Sequence, residues 1–436
     1  MSLSAGFGGL LRSPMALASR RGMPRLRGLV GKPPAERMQI AYAALALSTL
    51  ALVAFGLVMV FSATSVRSAL ASGDEYGFLR RQGMYVAAGL VLLWLLAHLR
   101  YDRLRHLVGP MLVGSFVLLI AVLLIAEPVN GARRWFGFGS FGLQPSELAK
   151  LALVLWLALY LSRREAPRTL GQLARPIGLV VVSMMVLIFI EPDLGTTLSI
   201  FAIVIALLLV SGTPLRLLAF VTTTGAGFVF AAIWLTPYRR ERFFSFLDPW
   251  ADPEGVGFQS VQALVAVGSG GWFGRGIGES VQKVHYLPEA TTDMIFAVIA
   301  EELGLVGSLM TVSLYGVFAW AGFTIALRCA DPFGKRLAVG FTALVVSQAT
   351  LNLAAVLGLA PLTGVPLPFI SFGGSHLITS LAAVGVVLNI ARSDAREAAR
   401  SLPDRGRGDG RSRAARDRRR RVAQPPRRAR PVRGVA

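Results

Sequence analysis

Four side chains carry charge where an apolar chain should not. Lys150 lies about one turn inside the apolar run that follows Gln144-Pro145-Ser146-Glu147. Asp293 stands at the threshold of a second run, and Glu301 and Glu302 lie further inside it. An ionisable residue at such depth is costly and marks a functional site by default. Each also has a structural reading. Glu147 is a local partner for Lys150, three positions earlier on a helix. Pro145 and Glu147 suit a helix start, with proline early and an acid in the first turn. Asp293 could cap a helix, although Thr291 and Thr292 are equally good caps. The inner glutamates could pair with arginine or lysine elsewhere. Three carboxylates at one entrance still favour a working polar cavity.

Other segments are irregular where helix is expected. Arg133 and Arg134 precede Trp135 in a short loop and read either as solvated charges or as an outward anion site. The glycine run 268–278 could cradle phosphate, but no strand precedes it and no Gly-Lys-Ser/Thr follows. Three prolines and three glycines interrupt Pro361–Ser375, which includes Ser371. Irregular backbone at membrane depth survives only when it is buried in protein or lines a wet cavity. The corner Glu191-Pro192-Asp193 is similar, or an ordinary tight turn.

The elements that must position these groups are membrane spans. Of 436 residues, 54% are hydrophobic and 16% charged, against about 25% charged in a soluble domain. A span needs about 20 mainly apolar residues. That criterion predicts an all-α, polytopic transmembrane bundle of ten spans: 40–61, 83–98, 107–126, 147–161, 176–191, 194–211, 215–236, 292–326, 337–358 and 373–391. The first run, 39–63, is too long for a signal-peptide core. The eighth span would measure ~50 Å as one helix, against a ~30 Å hydrocarbon core. Gly304 and Gly307 are therefore expected break points, with 291–303 a separate helix lining a cavity. Residues 237–291 form a large extracytoplasmic loop.

Charge sets the orientation. The net charge is +21, much of it in basic tails, 1–38 and 393–436, which should be disordered and cytoplasmic. Arginines at 100–105, 163–175 and 328–336 fall on the same side. Beside a membrane domain, basic tails imply anionic lipid or cytoplasmic division proteins rather than nucleic acid. Cys329 is the only cysteine, and His98, His106, His285 and His376 have no ligand spacing. No protein-bound metal or cofactor is expected.

Taken in order, Asn-Gly-Ala-Arg133-Arg134-Trp135, Gln-Pro-Ser146-Glu147-Leu-Ala-Lys150, Glu191-Pro-Asp-Leu-Gly-Thr-Thr, Leu-Pro-Glu-Ala-Thr-Thr-Asp293 and Pro361 to Ser375 resemble the SEDS family of shape, elongation, division and sporulation proteins. The resemblance covers about 39–392. Pro-Glu-Ala before Thr-Thr-Asp293 is closer to the FtsW (division) type than to RodA. The family usually has Gln at Glu191 and Tyr at Phe372.

The resemblance implies a glycosyltransferase that polymerises lipid II at the outer face of the cytoplasmic membrane, at the division septum. Asp293 matches the family's essential aspartate and Lys150 a lysine of the same cavity, so both are expected to be catalytic. The acceptor hydroxyl needs one general base, and Asp293 suits that role. The leaving pyrophosphate needs cations; Lys150, Arg133 and Arg134 are candidates, and a divalent cation there is left open. Trp135, Ser146, Glu147, Glu301, Ser371 and Ser375 fall in the same motifs as expected substrate contacts. The longest outer segment, 237–291, is too short and glycine-rich to be an independent crosslinking domain. A class B penicillin-binding protein, the transpeptidase, is therefore an expected partner, with other membrane proteins of the division machinery. The rival reading is a lipid II flippase.

Overall fold

The computed structural model describes residues 34–401, apart from 73, 75, 129, 130, 139 and 140. Most of both basic tails, and Asn130, lie outside the described residues.

Ten helices match the ten expected spans. They are α1 (Pro34–Ser72), α2 (Gly77–His98), α3 (Leu104–Ile125), α4 (Pro145–Arg163), α5 (Leu170–Ile190), α6 (Leu194–Val210), α7 (Leu215–Leu235), α11 (Ile295–Arg328), α12 (Pro332–Val356) and α13 (Gly374–Ser401). Eight are long and apolar enough to cross a membrane. The others are α6, with 17 residues, and α2, whose first turns carry Arg80 and Arg81. α1 begins and α13 ends within the expected tails, at Pro34 and Ser401.

Burial sorts the helices into two shells. The most apolar window of α13 is 89% buried and that of α4 is 72%, against 17% for α7 and 22% for α3. α4, α12 and α13 therefore form the inside, and α3 and α7 face lipid. Inner helices approach closely through small residues, as membrane bundles require. Gly385 of α13 lies against the backbone of Leu93 in α2, where a Cβ would clash.

The long eighth span is broken, as its length requires. Gly304 takes φ 65° and ψ −157° inside α11, a conformation open only to glycine at little cost. Gly307 stays helical. The outer piece starts at Ile295 rather than Thr291. The break leaves peptide groups without helical partners, and the glycine run satisfies them. Arg275 and Gly276 donate their backbone N–H groups to the carbonyls of Glu301 and Glu302, each at 3.0 Å. Leu305 N–H returns a bond to Gly271 O at 2.9 Å. The run thus splices a broken helix.

Residues 237–291 do not form one open loop. They fold into α8 (Pro237–Leu247), α9 (Phe258–Ser269) and α10 (Gln282–His285), with α9 packed on α11. A short hairpin pairs β1 (Phe136–Phe138) with β2 (Phe141–Leu143) ahead of α4.

Candidate functional site

Asp293 lies in the turn just before α11. Met294 occupies the cap position and no side chain caps the helix, so Asp293 does not serve as a cap. Its backbone is fixed from two other elements. Asn352 of α12 donates Nδ2–H to Asp293 O at 2.7 Å and to Val365 O at 2.8 Å. Ser371 donates its hydroxyl to Thr292 O and accepts from Leu367 N at 2.8 Å. Phe372 N–H reaches Thr291 O at 2.9 Å. The proline-rich segment 361–372 is therefore a rigid brace for the Asp293 turn. Gly364, at φ 69°, faces the carboxylate, and a Cβ there would stand 4.0 Å from Oδ2.

The carboxylate is poised near neutrality. Burial, and then the charge of Glu289, pushes Asp293 up to about 7 from the usual 3.8. Arg242 pulls the other way.

Arg242 belongs to α8, and so does Arg239 one turn earlier. Arg239 sits over the Phe189 ring with Cζ 4.1 Å from its centre. Burial, and then the charge of Arg134, lowers its pKa. Arg134 donates Nε–H to Glu191 O and Nη2–H to Pro192 O, both at 2.7 Å. Arg134 and Arg239 thus gather at the Glu191 corner, and Arg242, on the same helix as Arg239, acts electrostatically on Asp293. The sequence reading missed the two α8 arginines. The signal was present in Arg239-Arg240-Glu241-Arg242, but nothing in the chain order tied it to Asp293.

The corner itself is built from Asp193, which caps α6 by accepting Thr196 N–H at 2.9 Å. Glu191 is fully buried and, among the described residues, neither carboxyl oxygen has a hydrogen-bond partner. Burial, then Asp193, pushes it up to about 8, against the pull of Arg134.

Lys150 is placed elsewhere. It is 1% exposed and donates Nζ–H to Glu147 Oε1 at 2.7 Å. His376 Nδ1 lies 3.3 Å from the same oxygen, and Thr379 donates to Oε2 at 3.0 Å. These bonds tie α4 to α13. The local-partner reading of Lys150 is the geometry found, because a buried ammonium needs a counter-charge in reach. Ser146 is fully buried beside this pair in sequence, and its hydroxyl has no partner among the described residues.

Glu301 and Glu302 are fully buried and engaged with partners of their own. Glu301 accepts from Ser280 Oγ at 2.5 Å and Val281 N at 3.1 Å. Glu302 accepts from Lys283 Nζ at 2.6 Å and from Ser62 Oγ at 2.7 Å. Glu301 holds the spliced segment to α11, and Glu302 ties it to Ser62 of α1. Arg133 donates to Leu123 O at 3.1 Å and is exposed. Trp135 packs over the hairpin at Gly142. Ser375 donates to Gly142 O at 2.7 Å, fixing the start of α13 to that hairpin. Among the described residues no cluster of three His, Cys, Asp or Glu side chains could hold a metal ion.

The arrangement defines a polytopic membrane protein with a neutral-range carboxylate beside arginines in the segments between spans. Residues 43–396 match the family model FTSW_RODA_SPOVE, described as "Cell cycle protein". The chain is 39% identical over 352 residues to stage V sporulation protein E of Bacillus subtilis, covering 80% of this chain and 96% of that one. It is 42% identical to a probable peptidoglycan glycosyltransferase FtsW of Thioalkalivibrio sulfidiphilus, covering 82% and 90%. A solved peptidoglycan synthase complex, described as coordinating polymerization and crosslinking, superposes with a TM-score of 0.68 at 34% identity, covering 80% of this chain and 97% of that one. The chain belongs to the FtsW, RodA and SpoVE family of SEDS proteins.

Proposed function

We propose that this chain is a peptidoglycan glycosyltransferase that polymerises lipid II at the outer face of the cytoplasmic membrane during septal wall synthesis. The observation that carries the reading is Asp293, braced by α12 and the segment 361–372 and holding a pKa near 7 within the field of Arg242. A base works best when its pKa lies near the working pH. The acceptor sugar's 4-hydroxyl gives its proton to Asp293 and attacks C1 of the donor. The C1–oxygen bond breaks, its electron pair leaves with the polyprenyl pyrophosphate, and C1 inverts. Arg242, Arg239 and Arg134 receive that charge. A cation placed beforehand needs no reorganisation at the moment of reaction. Lys150 acts through Glu147 as a positioning residue.

A class B transpeptidase is the partner in this reading: the outer segment 237–291 is too short to be a crosslinking domain, and the solved synthase complex at 34% identity is described as coordinating polymerization and crosslinking. Both termini are cytoplasmic in this reading, where the basic tails meet anionic lipid or division proteins.

Purified protein in detergent, given lipid II, tests the proposal, because no membrane remains to be crossed. The wild type should make glycan, and Asp293→Asn should lose about 100- to 10,000-fold. A wild type that makes none, yet moves lipid II across vesicles, is a flippase instead.

A further inference from the structure

A second basic site lies at the other end of the bundle. The segment joining α4 to α5 encloses a pocket of about 230 Å³. Its walls include Tyr160, Arg164, Glu165, Arg168, Gln172 and Arg175. Three arginines against one glutamate leave the pocket cationic. The walls are held in place before any ligand arrives. Arg164 stacks on Tyr160, with Cζ 5.0 Å from the ring centre, and donates to its hydroxyl at 3.3 Å. Gln172 accepts Arg168 N–H at 2.9 Å through Oε1, which leaves its amide hydrogens as donors.

The helix that closes the pocket is irregular at this point. Two helical pieces meet in a kink at Arg175, which is extended, at φ −127° and ψ 117°. Arg175 thereby leaves the regular helical track.

The apolar stretch of α5 starts at once beyond the pocket. Leu179, Val182, Val186 and Ile190 are 68%, 57%, 42% and 57% exposed. Their spacing places them along one helix stripe. A cationic pocket continuous with an exposed apolar stripe matches a molecule with an anionic head and an acyl tail. Basic pockets between spans bind lipid head groups in this way.

We propose that this pocket binds the phosphate head group of an anionic phospholipid, with its acyl chains along the Leu179–Ile190 stripe of α5. The site lies apart from Asp293 and does not depend on the polymerase reading.

The test is native mass spectrometry of the delipidated full chain in detergent. Phosphatidylglycerol, phosphatidylcholine and inorganic phosphate are the three probes. Phosphatidylglycerol should stay bound, and the zwitterionic lipid should not. Combined Arg164→Ala, Arg168→Ala and Arg175→Ala should weaken binding about tenfold or more, since each cation near a lipid surface contributes several-fold. The triple lysine variant should keep most of it, which separates lost charge from lost folding. Removing Arg100, Arg103 and Arg328 should have little effect, and Asp293→Asn none. Equal retention of both lipids overturns the proposal. So does an equal loss in the Arg100, Arg103 and Arg328 variant, or displacement of the lipid by millimolar inorganic phosphate.

Discussion

At the scale of single residues, the proton on Asp293 decides the rate. With a pKa of about 7, the basic form is lost as pH falls below neutrality. The kcat/KM for lipid II should therefore drop about tenfold per unit below pH 6 and level off above about pH 8. Assays at constant ionic strength check this; a flat profile from pH 5 to 8 would remove Asp293 as the base. Glu191 behaves in the opposite sense, through stability. Its folded value of about 8 exceeds the ordinary 4.5, so the folded state holds the proton more tightly. Stability from Glu191 is full below 4.5 and is lost as pH rises through 8. Glu191→Gln should fold normally and lack this loss, as thermal melts at pH 6 and pH 9 would reveal. Lys150→Met should strand Glu147 without its ammonium, which costs about 3–5 kcal/mol for a buried pair. Adding Glu147→Gln should recover most of the melting temperature, since no charge is then left buried.

At the scale of elements, the spans were legible because a bilayer demands a fixed length of apolar chain. Even the break at Gly304 was readable, from excess length plus a glycine. The segment 237–291 was not. Its arginines, aromatics and glycines show no long apolar period, so α8 and α9 carried too weak a pattern to read as helices. The site was half legible. Asp293 stood out by position, whereas Lys283 on Glu302, His376 on Glu147 and Arg242 near Asp293 are pairings between distant segments, with no local trace. Gly304→Ala tests the splice. The new Cβ would enter the backbone of Trp272 and Gly274, and alanine resists that conformation by about 1–3 kcal/mol. Faster protease cutting within 268–280 is the expected result, with unchanged cutting near α13.

At the scale of the whole molecule, the wet segments divide by charge and by task. After Cys329 is replaced, single cysteines at Arg240 and Glu254 should react with an impermeant reagent outside intact cells, and those at Arg168 and Lys335 should not. The reverse pattern would turn the molecule over and move Asp293 to the wrong compartment. Removing 402–436 should leave polymerisation in detergent unchanged, because the groups that brace Asp293 come from residues 291–372.

The break in α11 also sets a depth. From Leu305 to Arg328 the helix rises ~36 Å at 1.5 Å per residue, enough by itself to cross a ~30 Å hydrocarbon layer. The piece from Ile295 to Leu303 is thus surplus to the crossing and rides at the level of the head groups. Asp293, at its tip, meets a sugar carried on a membrane-anchored phosphate at the height where that sugar already floats. Neither substrate has to be lifted from its leaflet, and the growing strand can slide past the carboxylate while its lipid stays in the membrane.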